Sequence, residues 1–389
     1  MNIKDIDKTY VANTYNRFPL LITEGKGSIV RDENGKTYID LTSGIGVNSF
    51  GIADELWLDA IKAQIGKVQH MSNLYYTEPC ALLAKALCEM TGMKKVFFAN
   101  SGAEANECAI KVARKYAAEK KGTDFYTIIT LKNSFHGRTL TTLAATGQDV
   151  FHNDFQPLTA GFIHAEPNDL ASVKSLIETS KCAGILLEVV QGEGGVLALD
   201  RDFVQGVAAL AAEHDLVLMC DEVQSGNGRT GRLYAYMHYG IEPDVVSTAK
   251  GLAGGLPFGA ALLGEKVQDT LVPGSHATTF GGNPVAAAAA LSIVKRLDDR
   301  FLAEVAAKGA YIRDRLKATP GVIEVTGLGL MLGIRCAGNA ATILAELIGQ
   351  GVLVLTAKQH IRLLPALNIP HDLLEASVQT LCAAIAGNR

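Results

Sequence analysis

The chain has no basic block. Its 36 Lys and Arg are scattered among 40 Asp and Glu, giving a formal net charge of −4 over 389 residues. Proteins that track a phosphate backbone gather positive charge on one face, so nucleic acid is excluded as an expected partner. No apolar run reaches the length needed to cross a bilayer, so no membrane partner is expected either. The opening residues, Met1 to Tyr10, are polar and charged, unlike a secretory leader. Seven cysteines occur without a Cys-x-x-Cys pair, which argues against a disulfide framework or a zinc site and for reduced thiols in a cytoplasmic protein. Aromatic residues are sparse, with a single Trp. What the chain does have is bulk: 48% hydrophobic residues against 20% charged, enough for a large core, and a length that suits two or three domains.

Residues 1–50 read as a sheet-rich piece, with two short strands around the Asn34-Gly35 turn. From Lys94 to Gly264, apolar strands alternate with helical patterns. The strand candidates are Val96–Ala99, Tyr126–Thr130, Ala183–Val190, Leu216–Cys220, Val245–Thr248 and Ala260–Leu263. Alternation of this kind predicts an α/β fold, with a mostly parallel sheet covered by helices on both faces. Ligands bind such sheets beyond the carboxyl ends of the strands. Pro284–Arg300 reads as one alanine-rich helix, followed by an α+β unit. The expected division is residues 1–60 and 286–389 in a smaller domain and 61–285 in a large one.

Between Asp244 and Glu265 the only charged side chain is Lys250, set among Val, Thr, Gly, Ala and Leu. Most lysines are solvated surface groups. Here the small apolar neighbours predict a poorly hydrated ammonium, whose pKa falls until the neutral amine is available for carbonyl chemistry.

Other polar signals fall just after strands. Ser101-Gly102-Ala103 opens a helix and forms either an ordinary cap or an anion site. Asp221 ends an apolar strand, where it serves as a cap, a metal ligand or a partner for a buried cation; no His/Asp/Glu cluster gathers around it to favour metal. Phe135, His136 and Arg138 share one loop, and the Arg138 fork suits a carboxylate. Glu193 lies in a glycine-rich turn, Thr278 and Thr279 precede a helix, and Arg362 stands alone in an apolar strand. A desolvated lysine, a strand-end acid, an anion site, an aromatic ring and two arginines together are what pyridoxal phosphate (PLP) requires.

These segments resemble the class III (ω-amino) aminotransferases of PLP fold type I. The resemblance runs from Tyr15 through SNLYYTEP, FFANSGAEANE, SFHGRT, EVVQGEGGV, CDEVQSGNGRTG, the Lys250 segment and HATTFGGNP to IRLLPALNI. It implies a seven-stranded-type sheet in the large domain and a small domain drawn from both chain ends. It implies that Lys250 carries the cofactor and moves the proton, and that Asp221 faces the pyridinium nitrogen. Phe135 and Val223 flank the ring, Gln224 reaches its phenolic oxygen, and Ser101, Gly102 and Ala103 hold the phosphate. Thr279 reaches the phosphate of a partner subunit, so a homodimer with a shared site is implied. Tyr15, Arg138, Thr278, Glu193 and Arg362 contact substrate, with Glu193 releasing Arg362 when 2-oxoglutarate replaces the amine donor. The implied donor is N2-acetylornithine, in arginine biosynthesis. Gly44 leaves room for its acyl group where members acting on free ornithine carry a tyrosine. Succinylornithine, ornithine, 4-aminobutyrate and succinyl-diaminopimelate are rival donors. A PLP enzyme of another reaction type, or a non-catalytic protein on the same fold, would share part of this set. Where relatives have His-Gly-Ser, this chain has His276-Ala277-Thr278.

Overall fold

The computed structural model describes residues 2–388. Its centre is a seven-stranded sheet in the order Lys95–Ala99, Gly259–Leu263, Val245–Thr248, Val217–Asp221, Cys182–Leu187, Thr127–Leu131 and Phe162–Ala165. From Val245–Thr248 outward to Phe162–Ala165 all neighbours are parallel. Gly259–Leu263 runs antiparallel to both strands beside it.

Both faces of this sheet are apolar, as a sheet covered on two sides requires. Ile128, Val217, Met219, Val245 and Ala261 join one hydrophobic cluster with Ala109, Ala113 and Ala117 of the helix Gly102–Lys120. Their strand neighbours Ile129, Leu218, Cys220, Val246 and Leu262 point the other way into a larger cluster. Successive residues of one strand thus feed opposite layers, the period-two rule of a pleated strand.

Two smaller sheets lie beyond. Ile22–Lys26, Ile29–Asp32 and Thr37–Asp40 form an antiparallel meander, and Val352–Leu353 joins its edge in parallel. Residues from opposite ends of the chain therefore share one sheet. The turn at Asn34-Gly35 is held by Asp32, whose Oδ1 accepts from the amides of Asn34 (2.9 Å) and Lys36 (3.0 Å). The second sheet runs Val322–Leu328, Met331–Cys336, His360–Leu363, Leu355–Ala357, all antiparallel.

Three sequence expectations need correction. The edge strand Phe162–Ala165 was not expected: three of its four residues are only half-buried, so it carries no strong apolar signal. The helix expected over Pro284–Arg300 stops at Val294, and a new one, Asp299–Lys317, starts at Asp298, whose Oδ1 accepts from the Phe301 amide (2.8 Å). The strand expected over Ala183–Val190 ends at Leu187, which leaves Glu188 at the strand end rather than inside it.

Candidate active site

The carboxyl ends of five strands converge on a cavity of about 440 Å³. Its lining includes Ser101, Gly102, Ala103, Phe135, Arg138, Asp221, Val223, Gln224 and Lys250, nine residues singled out from sequence. The size lies within the usual range for small-molecule sites.

Lys250 follows the strand Val245–Thr248 directly and sits at φ +47°, a left-handed conformation that a side chain other than glycine adopts at a cost. Strain of this kind persists only where the surroundings enforce it. Gly251 is one such constraint: a Cβ there would lie 2.6 Å from Ser49 Oγ, and Ser49 Oγ donates to the Gly251 carbonyl at 2.9 Å. Burial pulls the Lys250 pKa below its ordinary value, although Glu193 and Asp221 act in the opposite direction. The amine borders the cavity but is otherwise enclosed by protein.

Asp221 is 4% exposed and both of its oxygens accept hydrogen bonds. Oδ2 accepts from Asn106 Nδ2 (2.7 Å) and lies 2.8 Å from His136 Nδ1, while Oδ1 accepts from the Val223 amide (3.0 Å). A carboxylate only accepts, so the proton of the His136 ring belongs on Nδ1. Asn106 donates also to the His136 carbonyl (2.8 Å) and accepts from Ser247 Oγ (2.5 Å). Asp221 is thereby fixed in direction. Sequence reasoning assigned no role to Asn106 or His136, because their bonds to Asp221 span 115 and 85 residues.

The anion site lies at the start of the helix Gly102–Lys120. Ser101 Oγ accepts from the Glu104 amide (3.2 Å), and the first-turn amides face the cavity end where the helix dipole is positive. Gly102 is required by a neighbour: a Cβ there would lie 2.6 Å from Val223 Cγ1. The contact presses Val223 against the cradle.

Arg362 and Glu193 are not part of the lining and lie behind Gln224, which bonds both. Arg362 Nη1 donates to Glu193 Oε1 at 2.5 Å and to Gln224 Oε1 at 3.3 Å, and Gln224 Nε2 donates to Glu193 Oε1 at 3.4 Å. Arg362 is 4% exposed at its side chain and Glu193 31%. Burial pushes the Glu193 carboxyl up, but Arg362 outweighs it and holds the group below the usual carboxylate range. Arg138 is exposed at the mouth, its guanidinium carbon 4.2 Å from the Phe151 ring centre and 5.4 Å from that of Phe135.

Besides Glu193 and Arg362, three further candidates sit outside this cavity. Tyr15 is 70% exposed beside Arg17 and lines a separate hollow with Leu353 and Leu355. Thr278 Oγ1 accepts from Asn100 Nδ2 (3.2 Å) and borders a second hollow with Tyr75, Tyr76 and Cys80. Thr279 is exposed next to it. Conversely, Glu188 lines the cavity and was missed. Its signal was present, an acid closing an apolar strand like Asp221, but it was hidden by drawing the strand three residues too long. Among the described residues no group of three or more His, Cys, Asp and Glu could hold a metal ion.

The sequence matches the family described as aminotransferase class III over residues 10–385. The acetylornithine aminotransferase of Haemophilus ducreyi is 51% identical over 99% of this chain and 98% of its own length. That of Methanocaldococcus jannaschii is 43% identical over 97% and 96%. Among solved structures, the N-acetylornithine aminotransferase of Stenotrophomonas maltophilia is 35% identical, covers 98% of each chain and has a TM-score of 0.85. The ornithine aminotransferase of Toxoplasma gondii is only 29% identical but has a TM-score of 0.94 over 99% of this chain and 94% of its own. Backbone shape therefore does not separate the two donor types.

The chain belongs to the class III aminotransferases, and its fold is the type I fold of PLP enzymes. It is a PLP-dependent transaminase. The cavity fits that cofactor: amides at the start of the helix Gly102–Lys120 suit a phosphate, the Phe135 and Val223 side chains in the lining suit a flat ring, and a buried acid and an amine of lowered pKa border the same space.

Proposed function

We propose that this transaminase takes the δ-amine from N2-acetylornithine and delivers it to 2-oxoglutarate, giving N-acetylglutamate semialdehyde and glutamate. The observation that carries the reading is the Arg362–Glu193 pair, closed at 2.5 Å and backed by Gln224. A donor reacting through its distal amine presents no carboxylate at that place, and Glu193 keeps the buried guanidinium paired. 2-Oxoglutarate presents a carboxylate next to its reacting carbonyl, and Glu193 must then withdraw. Leaving either charge buried alone is strongly unfavourable, so the two states exchange partners rather than lose them.

Bound PLP supplies an aldehyde for the substrate amine and an electron-accepting ring. Asp221 keeps a negative charge at the ring-nitrogen end, held there by His136, Asn106 and the Val223 amide. Lys250 would hold the cofactor, and its Nζ would take and return the proton at the reacting carbon, a task for a base of lowered pKa. Ser101, Gly102 and Ala103 would bind the phosphate, Phe135 and Val223 would confine the ring, and Gln224 would bond its phenolic oxygen. Arg138 offers a fork to the remote carboxylate of the substrate.

The acyl donor is favoured by the names of the relatives and by the space at Gly44. That residue is exposed, and a Cβ there would meet nothing closer than Asn48 Nδ2 at 3.5 Å. The succinylornithine transaminase of Salmonella paratyphi A, 42% identical over 93% of this chain, supports N-succinylornithine as the second reading.

We further propose a homodimer. Leu74, Tyr75, Tyr76 and Phe280 are exposed together around Thr279, an apolar patch of the kind that a partner covers. A second copy seated there would receive Thr279 at its phosphate, and Thr278 and Tyr15 at its substrate. Seven free thiols fit a reducing, cytoplasmic setting; no described helix is long and apolar enough to cross a membrane.

The test is a donor panel with 2-oxoglutarate as acceptor, comparing kcat/KM for acetylornithine, succinylornithine, ornithine and 4-aminobutyrate. Acetylornithine is expected to lead free ornithine by roughly a hundredfold, the discrimination that a site gains by leaving no partner for an unacylated amine. Ornithine or 4-aminobutyrate in the lead would overturn the donor assignment.

A further inference from the structure

Glu188 is buried at the cavity wall and has no part in the steps above. Its two oxygens are divided between two loops. Oε1 accepts from the Phe135 amide at 2.8 Å, and Oε2 accepts from the Gly192 amide at 3.2 Å. The first loop carries Phe135, His136 and Arg138; the second carries Glu193. The loops touch again where Gln191 Nε2 donates to the Lys132 carbonyl (2.9 Å). Gly192 also lies against Gln224, since a Cβ there would be 2.4 Å from Gln224 Oε1. Gln224 in turn bonds both Glu193 and Arg362. A continuous set of contacts therefore joins the Phe135 loop, through Glu188 and Gly192, to the Arg362–Glu193 pair.

We propose that Glu188 is a positioning residue that ties the Phe135 loop to the Glu193 loop, so that the hold of Glu193 on Arg362 depends on Glu188. A carboxylate suits this place because each oxygen can serve a separate N–H. An amide cannot: its oxygen accepts from one loop, and its NH2 group faces the N–H of the other. Burial pushes the Glu188 carboxyl up to about 7, with Asp221 adding to the shift and His136 opposing it. Lys250 also faces it. A group this close to neutrality tolerates an isosteric neutral replacement, so Glu188→Gln is expected to fold.

The inference rests on the proposed exchange between Glu193 and substrate at Arg362, and its test separates the two. The PLP-loaded wild type, Glu188→Gln, Glu193→Gln and the double variant are compared in single turnovers of each half-reaction. Glu193→Gln alone reports on the exchange: it should weaken the donor half more than the 2-oxoglutarate half, and equal losses would remove that reading and this inference with it. Glu188→Gln is expected to weaken donor affinity about tenfold and 2-oxoglutarate affinity less than about threefold, with the donor effect shrinking below about threefold once Glu193 is already Gln, as coupled residues behave in a double-mutant cycle. The same factor in both backgrounds, or in both halves, would overturn the inference while leaving the exchange at Arg362 intact. Hydrogen exchange gives a readout free of kinetics: peptides containing Phe135 or Gly192 should exchange faster in Glu188→Gln, and unchanged exchange in both counts against the tie. If Glu188→Gln melts far below the wild type, Glu188→Asp, which keeps the charge and shortens the reach, carries the same cycle with the same expected pattern.

Discussion

At the floor of the cavity Asp221, Asn106, His136 and Ser247 are bonded to one another within a single chain. At its mouth, Arg138 is exposed and rests on two aromatic rings; outside the cavity, Thr279 and Tyr15 are exposed. The floor thus holds one carboxyl group in a fixed direction, the group that the proposed mechanism sets opposite the ring nitrogen. The mouth is open, as the proposed exchange of two substrates of different shape requires. Fixed dipoles lower barriers best where charge develops in one place; adaptable contacts suit alternating ligands.

The largest expected effect sharpens the contrast at the floor. Lys250→Ala should lower turnover in both half-reactions by roughly 10²–10⁴-fold, the range for a lost acid–base group. Single-turnover spectroscopy measures it, and a loss confined to one half-reaction would contradict a shared role. Asp221→Asn should cost about 10²–10³ in kcat, as removal of a fixed electrostatic group does. An unchanged rate would mean that the acid only holds His136 and Asn106 in place.

A smaller effect is expected at the wall between floor and cradle. Gly102→Ala places a methyl 2.6 Å from Val223 Cγ1, and overpacking of this kind costs about 1–3 kcal/mol. Weaker PLP retention at nearly unchanged melting of the cofactor-free protein would locate the cost in the cradle. The smallest change lies outside the cavity. Thr279→Ala should weaken PLP binding by about 1 kcal/mol, one hydrogen bond, and only in the assembled dimer. An equal loss in a dissociated protomer would place Thr279 outside the partner's site.

The same division decides what could be read from the sequence. Two residues stand out because each breaks a local rule: Lys250 is one charge in an apolar run, and Asp221 closes a strand that is otherwise apolar. Glu188 breaks the same rule and was overlooked through an error in the strand boundary. Asn106 and His136 obey local rules as a helix residue and a loop residue, so only the tertiary contact to Asp221 reveals them. In the fold, the buried strands announced themselves by continuous apolar runs, whereas the half-buried edge strand Phe162–Ala165 did not. The break after Val294 was masked because Lys295-Arg296-Leu297 suits a helix as well as a turn, and the capping role of Asp298 shows only in its bond to Phe301. Outside the cavity, Thr278, Thr279 and Tyr15 were assigned by resemblance to a family, and in a single chain they do not meet it.

The central claim is that the cofactor is anchored at one amine, that of Lys250. It is tested most directly by reducing the PLP-loaded protein with borohydride and mapping the labelled peptide by mass spectrometry. The account predicts a single phosphopyridoxyl group on Lys250; a label on any other lysine, or none, would contradict it.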